Sequence, residues 1–170
     1  MIFKVTFLDY WHLSSGLSAG AKLDSTVVKD ENGLPYISGK TIKGLIKEQS
    51  TNEEFLKKCF GNEGQNIGNC YFSDVCIEDN TKKSIINNNL QKQLFDEIAS
   101  TKIDENEIAQ SGSLREIEVV IPISLYGKIE NIPTEYKEEM ISCLKKIKRM
   151  GLNRNRGLGR CSIQIEKEEI

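Results

Sequence analysis

Between residues 117 and 129 apolar and polar side chains alternate over an unusual length, with Val119, Ile121, Ile123, Leu125 and Ile129 on one face. A period of two marks a strand with one buried side. Such a run commits the rest of the chain to supplying a sheet around it. Pro122, on the opposite face, predicts an edge or a bulge at that point, because it has no N–H for a ladder. A helical pattern follows at once. Pro133-Thr134 opens it, and Tyr136, Met140, Leu144 and Ile147 form its apolar stripe. Glu135, Glu138 and Glu139 stand near its start and Lys145, Lys146, Lys148 and Arg149 near its end, as the helix dipole favours. Gly151 is the predicted stop. Cys161, Ile163 and Ile165 then alternate as a closing strand, which completes a β-α-β unit.

The first half repeats that order. Residues 2–8 alternate, with Phe3, Val5 and Phe7 on one face, and read as an edge or half-buried strand. Residues 14–36 read as a long loop with a turn at Asp30-Glu31-Asn32-Gly33. Ser38 caps a predicted helix that begins near Lys40 and carries Ile42, Leu45 and Ile46. Gly44 inside it costs about 1 kcal/mol relative to Ala, which points to close packing or binding there. Residues 60–69 read as a loop, 70–77 as a second strand and 89–99 as a helix striped by Leu90, Leu94, Phe95 and Ile98. The polar stretch 100–116 reads as a projecting hairpin. This order predicts an α+β fold: a single ferredoxin-like (RRM-like, split β-α-β) domain over 1–170, with helices on one side of one sheet.

The most basic segment runs from Lys145 to Cys161, KKIKRMGLNRNRGLGRC, with seven basic residues and no acidic one. Within it, Gly151, Gly157 and Gly159 alternate with Arg154, Arg156 and Arg160. Glycine lets a backbone approach a phosphate closely, and arginine supplies charge and a fork of donors. The formal net charge of the 170-residue chain is only -2, so a nucleic-acid site must be a local patch. The acids cluster elsewhere, at Glu53-Glu54, Asp96-Glu97, Asp104 to Glu107 and Glu166 to Glu169, which predicts one basic and one acidic face. The opening MIFKVTFLDY alternates where a signal peptide would be an apolar block, and no apolar run approaches a membrane span. Five cysteines without a CxxC pair read as reduced, buried thiols of a cytoplasmic protein.

Three further segments bear on chemistry. Ser38-Gly39-Lys40-Thr41 looks like the end of a P-loop, but the glycine that motif needs falls on Leu34, and Gly33 is one residue too early. No nucleotide cofactor is expected. That helix start, with Lys40, Thr41 and Lys43, suits a single phosphate instead. His12 is the one histidine, and it reads either as a packed or RNA-contacting residue or as a general acid/base for metal-independent RNA cleavage. Asp24, in AKLDSTVVKDENG, reads as a turn residue or as a carboxylate holding a divalent cation near a phosphate.

Five segments in order resemble one family, the RAMP superfamily of CRISPR-associated RNA-binding proteins. They are GLSAGAKLDSTVVKDENGLPYISGKTIKGLIK (16–47), CFG (59–61), NCYFSDV (69–75), TKIDENEIAQSGSLREIEVVIP (101–122) and GLNRNRGLGRC (151–161). The resemblance is to the repeated backbone subunit, of the Csm/Cmr kind, of type III effector complexes. It implies a ferredoxin-like core that packs against copies of itself and other effector subunits along a guide RNA. It implies guide contacts at Ser38, Gly39, Lys40, Thr41, Lys43 and Lys47, and at Gly151, Arg154, Arg156, Gly157, Gly159 and Arg160 of a Gly/Arg loop (151–160). It implies a thumb-like insertion, about 100–117, with Lys102, Ile103 and Leu114, that wedges into the guide–target duplex. Finally, it implies that Asp24 cleaves the target RNA with a transient divalent ion, Mg or Mn.

Overall fold

The computed structural model describes residues 1–17, 23–62 and 66–167. Four strands, β1 (Ile2–Phe7), β4 (Tyr71–Phe72), β7 (Ser124–Glu130) and β8 (Cys161–Lys167), form an antiparallel sheet in the order β4-β7-β1-β8. Two short strands, β2 (Gly61–Asn62) and β3 (Asn66–Ile67), make a separate hairpin. Strands β5 (Phe95–Ser100) and β6 (Arg115–Val120) pair as a two-stranded ribbon. Helices α1 (Gly39–Lys47), α2 (Glu53–Phe60), α3 (Asp79–Asn87) and α4 (Lys137–Lys146) connect them.

β1 alternates as its sequence does, with Phe3, Val5 and Phe7 buried and Lys4 and Thr6 half-buried. It is not an edge strand, however, because it lies between β7 and β8. Opposite Phe3 the alternation of β7 lapses at Gly127. A Cβ there would stand 2.7 Å from the Phe3 ring and 2.8 Å from Val75, so the missing side chain is the room that Phe3 fills. Ile42 and Ile46 of α1 and Met140, Cys143 and Leu144 of α4 bury their faces in the same core. α3 buries no residue fully and lies across a cleft from Ser124 and Tyr126, which alternate with the core-facing Leu125 and Ile129. The helices therefore do not all lie on one side of the sheet.

The long alternation over 117–129 is broken where Pro122 stands. β6 ends at Val120 and β7 begins at Ser124, so the two halves belong to different sheets. The segment expected to be helical at 89–99 is a 3-10 turn (Gln91–Leu94) followed by strand β5. Its apolar residues sit opposite apolar partners across the ribbon, Phe95 facing Val120 and Ile98 facing Ile117. Those pairings outweigh the weak helical spacing. The expected strand over 70–77 forms pairs only at Tyr71 and Phe72, with single bridges at Val75 and Cys76. α4 stops at Lys146, with Ile147 extended, and not at Gly151.

Candidate nucleic-acid interface

The segment read as a loop around Asp24 is held like a strand. Ser25 bridges Ile117 of β6 in parallel, and Val27 bridges Ser14 in antiparallel fashion. The Asp24 N–H donates to the Glu116 carbonyl at 2.9 Å, and the Glu116 N–H donates back to Asp24 Oδ2 at 2.9 Å. The Asp24 side chain is nevertheless exposed. It stands near the outer end of the β5–β6 ribbon, one pair short of where residues 101–114 project, and both backbone groups of Glu116 hold it.

His12 is fully buried, at 0% exposure. Its Nδ1 meets the Glu118 carbonyl oxygen, which only accepts, so Nδ1 carries the proton. Nε2 lies 3.0 Å from Ser25 Oγ, and Ser25 Oγ lies 3.2 Å from Ser14 Oγ. Of the two readings of His12, burial and two occupied ring nitrogens fit the packed residue and leave no face for a general acid/base to meet a substrate.

The Gly/Arg loop docks on the same residue. Leu152 N–H donates to the His12 carbonyl oxygen at 2.9 Å. Gly151, at φ +93, lies so close that a Cβ would overlap that oxygen. The loop closes on itself through Met150 N–H to Gly159 O (3.0 Å), and Gly159 N–H donates to Tyr10 O (2.8 Å). Gly157, also at positive φ, has open space around it. Arg154 and Arg156 are exposed. Arg160, expected to hold RNA, instead points its fork at Asp9, with Nε–Oδ2 at 3.0 Å and Nη2–Oδ1 at 3.1 Å. The reason is geometric: the strand pair brings Leu8 N–H to the Arg160 carbonyl, which sets Asp9 beside it.

The start of α1 is capped by the protein itself. Ser38 accepts from Thr41 N–H at 3.2 Å, and Asp74 Oδ1 accepts from Gly39 N–H at 2.8 Å. The backbone phosphate site expected there is therefore occupied by a carboxylate, which no local sequence signal announced. Gly39 must be glycine because a Cβ would overlap the Phe72 carbonyl. What α1 offers a phosphate is side chains. Lys40, Lys43 and Lys47 follow helical spacing along one stripe, and Lys40 and Lys47 are exposed. Gly44 beside them has no protein atom within 4 Å of a would-be Cβ, so packing does not explain it.

Between β5 and β6 the chain projects. Residues 101–112 are exposed throughout, and Ile103 (64%), Ile108 (63%) and Leu114 (60%) leave apolar side chains in water. Lys102 is exposed with them. Asp104 shapes the tip, its Oδ1 accepting from Asn106 and Ile108 N–H.

Among the described residues, no three His, Cys, Asp or Glu side chains converge as a metal site. Asp24 presents an exposed carboxylate oxygen at this interface. Mg²⁺ suits such a position, because it keeps several waters and binds through one or two carboxylates together with substrate phosphates. No helix of the described residues is long and apolar enough to cross a membrane.

An α+β chain of antiparallel sheets, with a glycine-lined basic loop against a projecting ribbon, is the class these features define. The sequence model of the RAMP superfamily matches residues 4–162, and the chain belongs to that superfamily. Its fold is similar to a chain of type III-B Cmr-beta solved by cryo-EM in the apo state, with a TM-score of 0.69 at 14% identity over 96% of this chain and 95% of that one. It is equally similar to a chain of type III-B Cmr-beta bound to cognate target RNA, with a TM-score of 0.70 at 13% identity and the same coverage. At these identities the likeness is one of fold. No curated protein sequence matches.

Proposed function

We propose that this chain is a backbone subunit of a type III CRISPR ribonucleoprotein that binds guide RNA and cleaves paired target RNA through Asp24. Superfamily membership and the likeness to type III-B chains support the assembly; copies of itself and other effector subunits are its partners, in the cytoplasm. The order β4-β7-β1-β8, with β1 and β4 flanking β7 and β7 and β8 flanking β1, supports reading the core as ferredoxin-like. The exposed tip with Lys102, Ile103 and Leu114 supports a thumb that enters the guide–target duplex. Arg154, Arg156 and the lysines of α1 hold phosphates, and base pairing with the guide reads the sequence.

One observation carries the catalytic part. A single buried residue, His12, bonds the Gly/Arg loop through its carbonyl and Ser25, the neighbour of Asp24, through its ring. An RNA backbone on the loop thus passes close to an exposed carboxylate. Asp24, with the phosphates, would hold a divalent ion, and such an ion would supply Lewis-acid activation of an attacking oxygen. In the reconstituted complex with Mg²⁺ or Mn²⁺, Asp24→Ala leaves guide and target binding intact and abolishes cutting. Unchanged cleavage at the same positions refutes the assignment.

The second reading is a structural subunit that coats guide RNA without cutting. It is favoured by the bond from Glu116 N–H to Asp24 Oδ2, which is what a pairing residue would make. A complex that binds complementary RNA in Mg²⁺ and never cleaves it selects this reading.

A further inference from the structure

We infer that Glu118, on β6, is a positioning residue that locks the Asp24 segment onto the projecting ribbon. This inference rests on the reading of Asp24 given above. Four polar groups of Glu118 are engaged, all with the two segments that frame Asp24. Its N–H donates to Ser25 O at 3.1 Å, and its carbonyl accepts from His12 Nδ1. Its carboxylate accepts from Val27 N–H through Oε2 at 2.9 Å and from Lys29 Nζ through Oε1 at 2.7 Å. Lys29 in turn lies over the Phe95 ring, with Nζ 4.3 Å from its centroid. The Glu118 side chain is only 12% exposed; its bond from Val27 N–H is part-buried, while the Lys29 ammonium stays open to water.

The arrangement spans the strand. Asp24 is pinned to Glu116, one end of the contact, and Val27 and Lys29 to Glu118, the other. Because β6 is also one strand of the ribbon, the segment and the ribbon form one unit. A load on the exposed tip reaches the Asp24 segment through these bonds, and the Glu118 carboxylate is a side-chain part of that link beside the Asp24 carboxylate.

Hydrogen exchange of the full chain, read over peptides covering 23–29 with β1 as internal reference, tests this without any cleavage. In Glu118→Ala, exchange over 23–29 speeds about tenfold or more, since an amide loses a charged acceptor, while β1 is unchanged. Glu118→Gln keeps an acceptor for Val27 and recovers most of the protection. Lys29→Met speeds the same segment to a smaller degree, and serves if Glu118→Ala fails to fold. In the assembled complex, Glu118→Ala lowers the maximal cleavage rate at saturating target with the target Kd unchanged. Unaltered exchange over 23–29 in these variants overturns the inference whatever cleavage does. Faster exchange with wild-type cleavage overturns the positioning role. If Asp24→Ala still cuts, the catalytic reading falls and the exchange result still decides whether Glu118 holds the segment.

Discussion

Replacing Gly151 by alanine tests whether the Gly/Arg loop is seated on His12. The new Cβ would overlap the His12 carbonyl oxygen and stand 3.1 Å from its carbon and 3.3 Å from Leu13 Cδ2. Three costs add. An alanine at φ +93 is strained by about 1–2 kcal/mol. Moving packed backbone aside costs about 1–3 kcal/mol. Losing the Leu152 N–H bond to the same oxygen costs about 1 kcal/mol. The sum is about 3–6 kcal/mol, a large share of the ~5–15 kcal/mol that typically holds a domain. Gly157→Ala is the matched control. Its φ is +91, yet nothing lies within 4 Å of its Cβ, so only the strain of about 1–2 kcal/mol applies. Urea unfolding measures both. With a slope of about 1–3 kcal/mol per molar, the midpoints should separate by about 1 M, Gly151→Ala being the lower, at equal slope. Coincident midpoints would mean that the loop does not press on His12 and that the link to Asp24 is absent.

Arg154→Gln and Arg156→Gln should each flatten the salt dependence of guide-RNA binding by about 0.7, whereas Arg160→Gln should leave the slope nearly unchanged because Asp9 holds its fork; an equal loss at all three refutes that division. The Asp30–Lys82 clasp, 2.7 Å long, should show in pH-dependent melting. Burial acts to raise the Asp30 carboxyl, but bonds from Lys82, Leu34 and Asn32 outweigh it and hold the group below its ordinary 3.8. Lys82 is raised above its ordinary 10.5, chiefly by its bond to Asp30. A depressed acid stabilises above its unfolded value and loses that as pH falls through the folded one; a raised base loses its contribution as pH climbs through its own folded value. Asp30→Asn should therefore cost about 0.5–1 kcal/mol at neutral pH, a difference that shrinks below pH 3.8 as the folded carboxyl takes up its proton. A difference that stays constant through the acid range in which the carboxyl titrates would show that the pair is not its source.

Much of this chain was legible where a local cause is written in the sequence. The turn at Asp30 is one case: Oδ1 accepts from Asn32 and Leu34 N–H, and Gly33 takes the positive φ that such a turn demands. Ser38 is another, capping α1 as its position predicts. Where the cause lies far along the chain, the reading failed. Phe95 and Ile98 looked helical because their partners, Val120 and Ile117, lie some twenty residues on. α3 was missed because it buries no residue fully and so writes no apolar stripe. α2 did carry signals, with Asn52 as its cap, acids in its first turn and lysines in its last, and those went unread. Asp74 and Glu118 gave none. Each acts on residues 35 or more positions away.

The same distance explains why the candidate residues do not behave as separate ones. Asp24, His12 and the Gly/Arg loop stand apart along the chain, and nothing local ties them. In the fold the Gly/Arg loop and Ser25, the chain neighbour of Asp24, both bond His12. The imidazole donates through Nδ1 to a carbonyl that can only accept, and bonds Ser25 through Nε2. Its residue's own carbonyl carries the loop through Leu152. A change at Gly151 that lifts this carbonyl also shifts the ring, and with it Glu118 and Ser25, the chain neighbour of Asp24. Substitutions at Gly151 and Ser25 therefore act on one shared element, and their costs cannot add as they would for distant sites. Arg154 and Arg156 are exposed and their side chains make none of these bonds. Charge removal there weakens the grip on phosphate without disturbing Asp24, so binding and positioning separate along the loop itself.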